Sequence, residues 1–295
     1  MNYINWLTQN TFSLEGKTIA ITGATGGIGI HLCEYFAQLG ADIICLDRNE
    51  QKSNKLIEKL LLKYPQRNIY HLTLDLENFD NVVAVTQQLK TLEIDYLVLN
   101  AGAYKIPRHK CTTGFDNVFQ INFLSPYYMA CELSSYISQK NGRVVAVSSI
   151  AHNYSSIDID DVDFSTREKS SLVYGNAKRF LTLSLFEHFK CNDTLSIVHP
   201  GITFTNITAH YPKLVYVFIK HPMKLIFMPA KKAALSILFG LFNSTQTGEW
   251  IGPRYFNIWG VPCKKSLKTY NDFELKKAAE IARKIYIQIK KERHI

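Results

Sequence analysis

Short, uninterrupted apolar runs alternate along this chain with longer stretches whose apolar positions recur at helical spacing. Lys17–Thr22, Ala41–Leu46, Ile69–Leu74, Ile94–Leu99, Arg143–Val147 and Thr194–Val198 have strand length and lack polar alternation, as strands covered on both faces do. Between them, Ile30–Leu39, Glu50–Lys63, a segment beginning near Phe79 and a long stretch over Thr113–Ser138 carry the helical period. Strand–helix–strand units add parallel neighbours, so the pattern predicts an α/β fold, a doubly wound parallel sheet with helices on both faces. Ala230–Phe242 reads as a further core helix and Glu249–Tyr255 as a final edge strand. Leu275, Ala278, Ala282, Ile285 and Ile289 stripe a basic helix over about 272–292, to be packed on the body or on a sister subunit.

The chain has 295 residues, 46% of them apolar, which is ample for one large domain spanning 1–295, and no linker interrupts it. A net charge of +9 comes from scattered lysines with a local excess near the C-terminus, which argues against nucleic-acid binding. The six cysteines lie far apart without paired-ligand spacing; they read as reduced thiols of a cytoplasmic protein, with no metal site. Neither a targeting signal nor a run of about 20 apolar residues is present, so a soluble protein without a transmembrane segment is expected.

Candidate chemistry gathers where strands end. Thr22-Gly23-Ala24-Thr25-Gly26-Gly27-Ile28-Gly29 joins the first strand to the first crossover helix. Glycines there let the backbone approach a pyrophosphate, whose charge is met by amide N–H groups and the positive helix end, so the turn points to a dinucleotide. The second strand ends in Asp47-Arg48, about 20 residues beyond the glycines, where a carboxylate can accept from the adenosine ribose hydroxyls. Asp47 favours NAD, while Arg48 could instead welcome the 2′-phosphate of NADP. After the third strand, Asp75-Leu76 offers Asp75 to an adenine amino group or as a cap for the helix near Phe79. Asn100-Ala101-Gly102 ends the fourth strand with small residues, and Asn122 sits inside the long helix, an odd core residue unless its amide has partners.

The fifth strand delivers Ser148 and Ser149, and the next helix carries Tyr174 and Lys178, four apart on one face and able to work as an acid-base unit. Tyr136/Lys140, Tyr216/Lys220 and Tyr286/Lys290 repeat the spacing and read as surface coincidences; context selects Tyr174/Lys178. His199-Pro200-Gly201-Ile202-Thr203-Phe204-Thr205 follows the sixth strand. Beyond it, the apolar, lysine-bearing segment 204–229 reads as a lid over a substrate, with plain packing helices or a shallow membrane-surface contact as the alternatives.

Four signatures in order, Thr22-Gly23-x-x-x-Gly27-x-Gly29, Asn100-Ala101-Gly102, Ser149 with Tyr174-x-x-x-Lys178, and Pro200-Gly201, make the sequence resemble the short-chain dehydrogenase/reductase family over roughly Leu14 to Gly260. Arg143–His152 and the long interval to Tyr174 resemble its retinol dehydrogenase and protochlorophyllide reductase branch, although Leu99 and Phe123-Leu124-Ser125-Pro126 depart from common residues there. The resemblance implies a Rossmann fold with strand order 3-2-1-4-5-6-7 and an NAD(P)-dependent enzyme interconverting an alcohol and a carbonyl by hydride transfer. A cofactor site of Thr22, Gly23, Thr25, Gly27, Ile28, Gly29, Asp47, Arg48, Asp75, Leu76, Asn100, Ala101, Gly102, Pro200, Gly201, Ile202 and Thr205 goes with it. Tyr174 would carry the proton. Lys178, taken as a permanent cation, would lower the Tyr174 pKa and hold the nicotinamide ribose. Ser149 would donate to the substrate oxygen, and Asn122 would fix a water leading from Lys178 to solvent. Homodimers or homotetramers are implied, and an apolar alcohol or carbonyl is the expected substrate. C=C reduction, or a non-catalytic nucleotide-binding regulator, is the alternative.

Overall fold

The apolar runs form the strands of one sheet. In the computed structural model, which describes residues 3–190, 193–203 and 227–294, β1 (Thr18–Thr22), β2 (Asp42–Asp47), β3 (Ile69–Thr73) and β4 (Tyr96–Leu99) are followed by β5 (Arg143–Val147), β6 (Leu195–Val198) and β7 (Glu249–Tyr255). These seven pair in parallel, and β8 (Trp259–Ser266) adds an antiparallel edge, giving the order β3-β2-β1-β4-β5-β6-β7-β8. The expected order therefore holds through β7 and gains one strand.

The reversal at β2-β1-β4 places helices on both faces. Leu32 and Phe36 of α2 (Gly29–Leu39), with Leu235 and Leu238 of α8 (Ala230–Phe242), cover one face. Phe79 of α4 (Phe79–Thr91), Tyr128 of α6 (Ser125–Gln139) and Phe180 and Phe186 of α7 (Ser170–His188) cover the other. Each such fully buried side chain contributes about 2 kcal/mol of transfer free energy, so the layers, more than helix propensity, hold the crossovers in place. The polar punctuation is equally local. Gly40, at φ 104, caps α2, Asn49 accepts from Lys52 N at the start of α3 (Glu50–Lys63), and Asn271 accepts from Phe273 N and Glu274 N at the start of α9 (Asp272–Arg293). The apolar stripe of α9 is buried on the body of the same chain, against α7.

Four features differ from expectation. Glu249–Tyr255 is not the last strand: the chain turns back through Phe256 and Asn257, both at positive φ (52 and 59), and Ile258 N donates to Tyr255 O at 2.9 Å. β8 escapes a pattern reading because it carries Pro262 and three polar residues, which an edge strand tolerates and a central one would not. The long helix begins at Asn117, with α5 (Asn117–Phe119), and passes through a π-helical stretch, Gln120–Leu124, before α6. An amino-terminal helix, α1 (Tyr3–Asn10), packs Trp6 against Phe239 with ring centroids 5.7 Å apart. Lastly, the carboxyl-terminal end of the expected lid belongs to the body: Met228 is buried and its N donates to Ile202 O at 3.0 Å. The rest of that segment, 204–226, lies outside the described residues, as do Cys191, Thr205 and the Tyr216/Lys220 pair.

Candidate active site

The carboxyl ends of β1, β2, β3 and β4 open on a cleft of about 690 Å³. Its floor is the glycine turn. Gly23 has φ +69, and a Cβ there would stand 3.1 Å from Ala101 Cα; a Cβ on Gly29 would come within 2.1 Å of Gly23 O. Side chains larger than hydrogen are thus excluded by the protein's own backbone, which lets the turn close tightly before α2 begins. Asn100 fastens it from the neighbouring strand, donating Nδ2 to Thr22 O at 3.0 Å and to Gly23 O at 3.1 Å, while Ala101 N donates to Thr22 Oγ1 at 2.9 Å. Thr22, Gly23, Thr25, Gly27, Ile28, Asp47, Arg48, Asp75, Leu76, Asn100, Ala101 and Gly102 all line the cleft. Gly29 lies beneath it. A helix N-terminus behind a turn this bare of side chains fits the pyrophosphate of a dinucleotide.

At the far end of the cleft the carboxylates have partners within the protein. Asp47 is buried; Thr25 Oγ1 donates to its Oδ1 at 2.8 Å, Thr25 N to the same oxygen at 3.2 Å, and Ser53 Oγ to its Oδ2 at 3.3 Å. Asp75 Oδ1 accepts from Glu77 N at 3.0 Å. It does not cap α4; Asn78 does, accepting from Asn81 N. Arg48 is exposed and pairs with Glu77 at 3.4 Å, and His109 Nε2 lies 3.2 Å from the other oxygen of the same carboxylate. Sequence reasoning missed Glu77 and His109, as well as Asn117 and Ile121, which also line the cleft. Nothing in their spacing signals it, because the loop after β4 alone brings His109 back to the end of β3.

Ser149, Tyr174 and Lys178 converge beside this cleft. Lys178 is buried, donates Nζ to Val147 O at 2.8 Å, and lies 5.9 Å from the centre of the Tyr174 ring. A Cβ on Gly102, which is exposed in the cleft, would stand 3.6 Å from Lys178 Nζ and 2.9 Å from Asn122 Oδ1, so both side chains reach the wall of the cleft at Gly102. Tyr174 packs edge to face against Tyr104 at 5.3 Å between centroids, and the Ser149 hydroxyl is near enough to bear on its phenol. Ser149 also accepts from Ala151 N at 3.2 Å, capping a short 3-10 helix, Ile150–Tyr154. Thr182 Oγ1 bonds both Ser148 Oγ and Lys178 O at 2.8 Å, which anchors the helix to the end of β5.

Asn122 has the partners its buried position demands. Its Oδ1 accepts from Ala103 N at 3.1 Å, and its Nδ2 donates to Ala103 O and to Val118 O, both at 2.8 Å. Val118 O is the carbonyl four residues back, so the side chain enters the helical ladder where the π-helical stretch lies. Pro200, Gly201 and Ile202 follow β6 but do not line the cleft; a Cβ on Gly201 would meet Met228 Cε at 2.8 Å.

The electrostatics depart from the expected division of labour. Burial draws the Lys178 ammonium down to about 7, so it is not a permanent cation. Burial pushes the Tyr174 phenol up to about 12; the Ser149 hydroxyl works against that rise and the neighbouring Tyr104 adds to it. The expected lowering by Lys178 is therefore absent. Two buried histidines, His152 and His199, are held neutral. Burial takes His152 down to about 4 and His199 down to about 3; both pack on Trp250, His152 edge-on at 5.1 Å and His199 stacked at 5.2 Å between centroids.

A profile of the short chain dehydrogenase family matches residues 17–159. The chain is 30% identical over 220 residues to the short-chain dehydrogenase TIC 32 A, chloroplastic, of Brassica napus, covering 68% of each chain. It is 30% identical to human retinol dehydrogenase 14, covering 67% of this chain and 65% of that one. It is likewise 30% identical to a WW domain-containing oxidoreductase of Drosophila melanogaster, but there the match covers 56% of this chain and only 42% of the relative. Among solved structures, an uncharacterized protein from Mycobacterium Paratuberculosis superposes with a TM-score of 0.72 over 96% of both chains at 22% identity, a likeness of fold. Among the described residues, no helix is long and apolar enough to cross a membrane and no group of three or more metal-ligating side chains occurs.

Proposed function

The chain belongs to the short-chain dehydrogenase/reductase family of oxidoreductases, with its likeness on the retinol dehydrogenase side, and on that premise we propose that it interconverts an apolar alcohol and its carbonyl using NAD. Bound in the glycine-turn cleft, the nicotinamide would supply or take up the hydride. The observation that carries the proposal is the approach of Lys178 Nζ and Asn122 Oδ1 together to Gly102 in the cleft wall, which sets the Tyr174–Lys178 pair beside that cleft.

The protein's own part is to place and move a proton. With its pKa near 12, Tyr174 keeps its proton through the neutral range, so the resting site is set to donate to a carbonyl oxygen. Ser149, close to the same phenol, is placed to donate to that oxygen as charge develops. Lys178 is charged below about pH 7 and, beside Gly102, is in position to hold a ribose hydroxyl there. Asn122 fixes the loop after β4 that forms this wall. The engaged carboxylate of Asp47, at the adenosine end, supports NAD over NADP.

The test is nicotinamide fluorescence of the purified protein titrated with NADH and NADPH, followed by a panel of apolar ketones and aldehydes with the preferred cofactor. Tighter NADH binding and reduction of at least one carbonyl are expected. Binding of neither nucleotide would overturn the assignment of the cleft, and binding without turnover across the panel would favour a nucleotide-binding regulator.

A further inference from the structure

We propose that Glu77 selects the cofactor: its carboxylate occupies Arg48, the one arginine among the described residues that line the cleft, and adds negative charge where a 2′-phosphate would otherwise be received. The inference rests on reading the cleft as an NAD site and names the device that keeps it one. Arg48 is where the preference could reverse, because it follows the strand-end Asp47 and its side chain is 67% exposed, free of any burial that would fix its direction. A guanidinium there would meet a ribose 2′-phosphate with charge-assisted hydrogen bonds. Glu77 prevents this by geometry as well as by charge. One oxygen lies 3.4 Å from Arg48 Nη1 and the other 3.2 Å from His109 Nε2, so the carboxylate is held between two elements. Its own backbone N donates to Asp75 Oδ1 at 3.0 Å, which fixes the base of the side chain at the end of β3. Asp47, Asp75 and Glu77 then put three carboxylates on the wall against the two cations Arg48 and Lys52.

The exposed ion pair is itself weak, because solvent screens it. Discrimination comes instead from the charge: a dianionic phosphate entering this end meets an anionic wall and an arginine already paired, whereas free ribose hydroxyls meet acceptors. Replacing Glu77 by its neutral isostere therefore frees Arg48 and removes one repulsive charge without changing the shape of the cleft.

The experiment compares binding of ADP and 2′,5′-ADP to nucleotide-free protein by calorimetry, a readout independent of turnover. Wild-type protein should prefer ADP. In Glu77→Gln and Glu77→Ala the affinity ratio should shift toward 2′,5′-ADP by about tenfold, the scale of one charge-assisted hydrogen bond. Adding Arg48→Ala to Glu77→Gln should cancel the shift, and raising the salt concentration should shrink it. An unchanged ratio in both Glu77 variants, with the wild type preferring ADP, would overturn the proposal while leaving the NAD reading intact. A wild-type preference for 2′,5′-ADP would overturn the NAD reading and the proposal with it.

Discussion

Two helical turns of this protein carry a tyrosine and a lysine four residues apart, and they have opposite fates. On α7, Tyr174 and Lys178 sit at the cleft; Lys178 is buried with a backbone carbonyl as its hydrogen-bond partner, and burial draws its pKa down to about 7. On α9, Lys290 donates to Glu132 at 2.7 Å and Tyr286 donates to the same carboxylate, which Lys90 also meets at 2.6 Å. Burial would raise the Glu132 pKa, but the hydrogen bonds from Lys290, Lys90 and Tyr286 outweigh it and hold the carboxyl down near 2. That pair is a brace that seats α9 on α4 and α6, not the surface coincidence its sequence suggests. Tyr136/Lys140 does lie at the surface, with Tyr136 exposed and Lys140 on Glu93. Spacing places the two groups together, but the fold decides whether the lysine meets a carboxylate, as Lys290 does, or is buried against a backbone carbonyl, as Lys178 is.

Variants can break this contrast in either direction. The largest effect is expected from Tyr174→Phe, which should lower kcat for carbonyl reduction by roughly a thousandfold, within the range of general acid catalysis, while NADH affinity stays nearly unchanged. Residual turnover near wild type would remove Tyr174 from the mechanism. Glu132→Gln should cost about 2 kcal/mol in urea unfolding, because two part-buried lysines lose their counter-ion, yet leave kcat intact. Tyr286→Phe, which removes one hydrogen bond from the brace, should cost about 1 kcal/mol with the same silence in turnover.

Two pH dependences sharpen the comparison further. Below about pH 7 Lys178 is charged, so kcat/KM for reduction should fall as pH rises through that value. His152 and His199 affect stability instead. Their folded pKa values, about 4 and about 3, lie below the ordinary value near 6.5, so the unfolded chain takes up protons first as pH falls. Their contribution is fully present above about pH 6.5 and is lost progressively, down to about pH 4 for His152 and about pH 3 for His199. Melting temperatures at pH 7 and pH 5 check this; equal values would mean that neither histidine is held neutral in the folded state.

Much of the fold could be read from pattern alone, and the reasons are local. The β1–α2 turn needs glycine where Gly29 meets Gly23 O, and α3 starts after Asn49 because that side chain caps it. What the pattern missed has no local signature. β8 forms because β7 offers an unpaired edge, and the π-helical stretch forms where the Asn122 amide finds Ala103, on another segment. Likewise, Tyr174 and Lys178 announce themselves by motif, but Glu77 and His109 become neighbours only when the loop after β4 folds back.

The sequence by itself determined the order of strands and helices, the bare turn beneath the cleft, and which residues could carry a proton, since these follow from period, residue size and functional group. Tertiary structure alone decided the charge states. Burial sets the Lys178 pKa, and it comes from packing by distant parts of the chain, just as Lys290 finds Glu132 only across the fold.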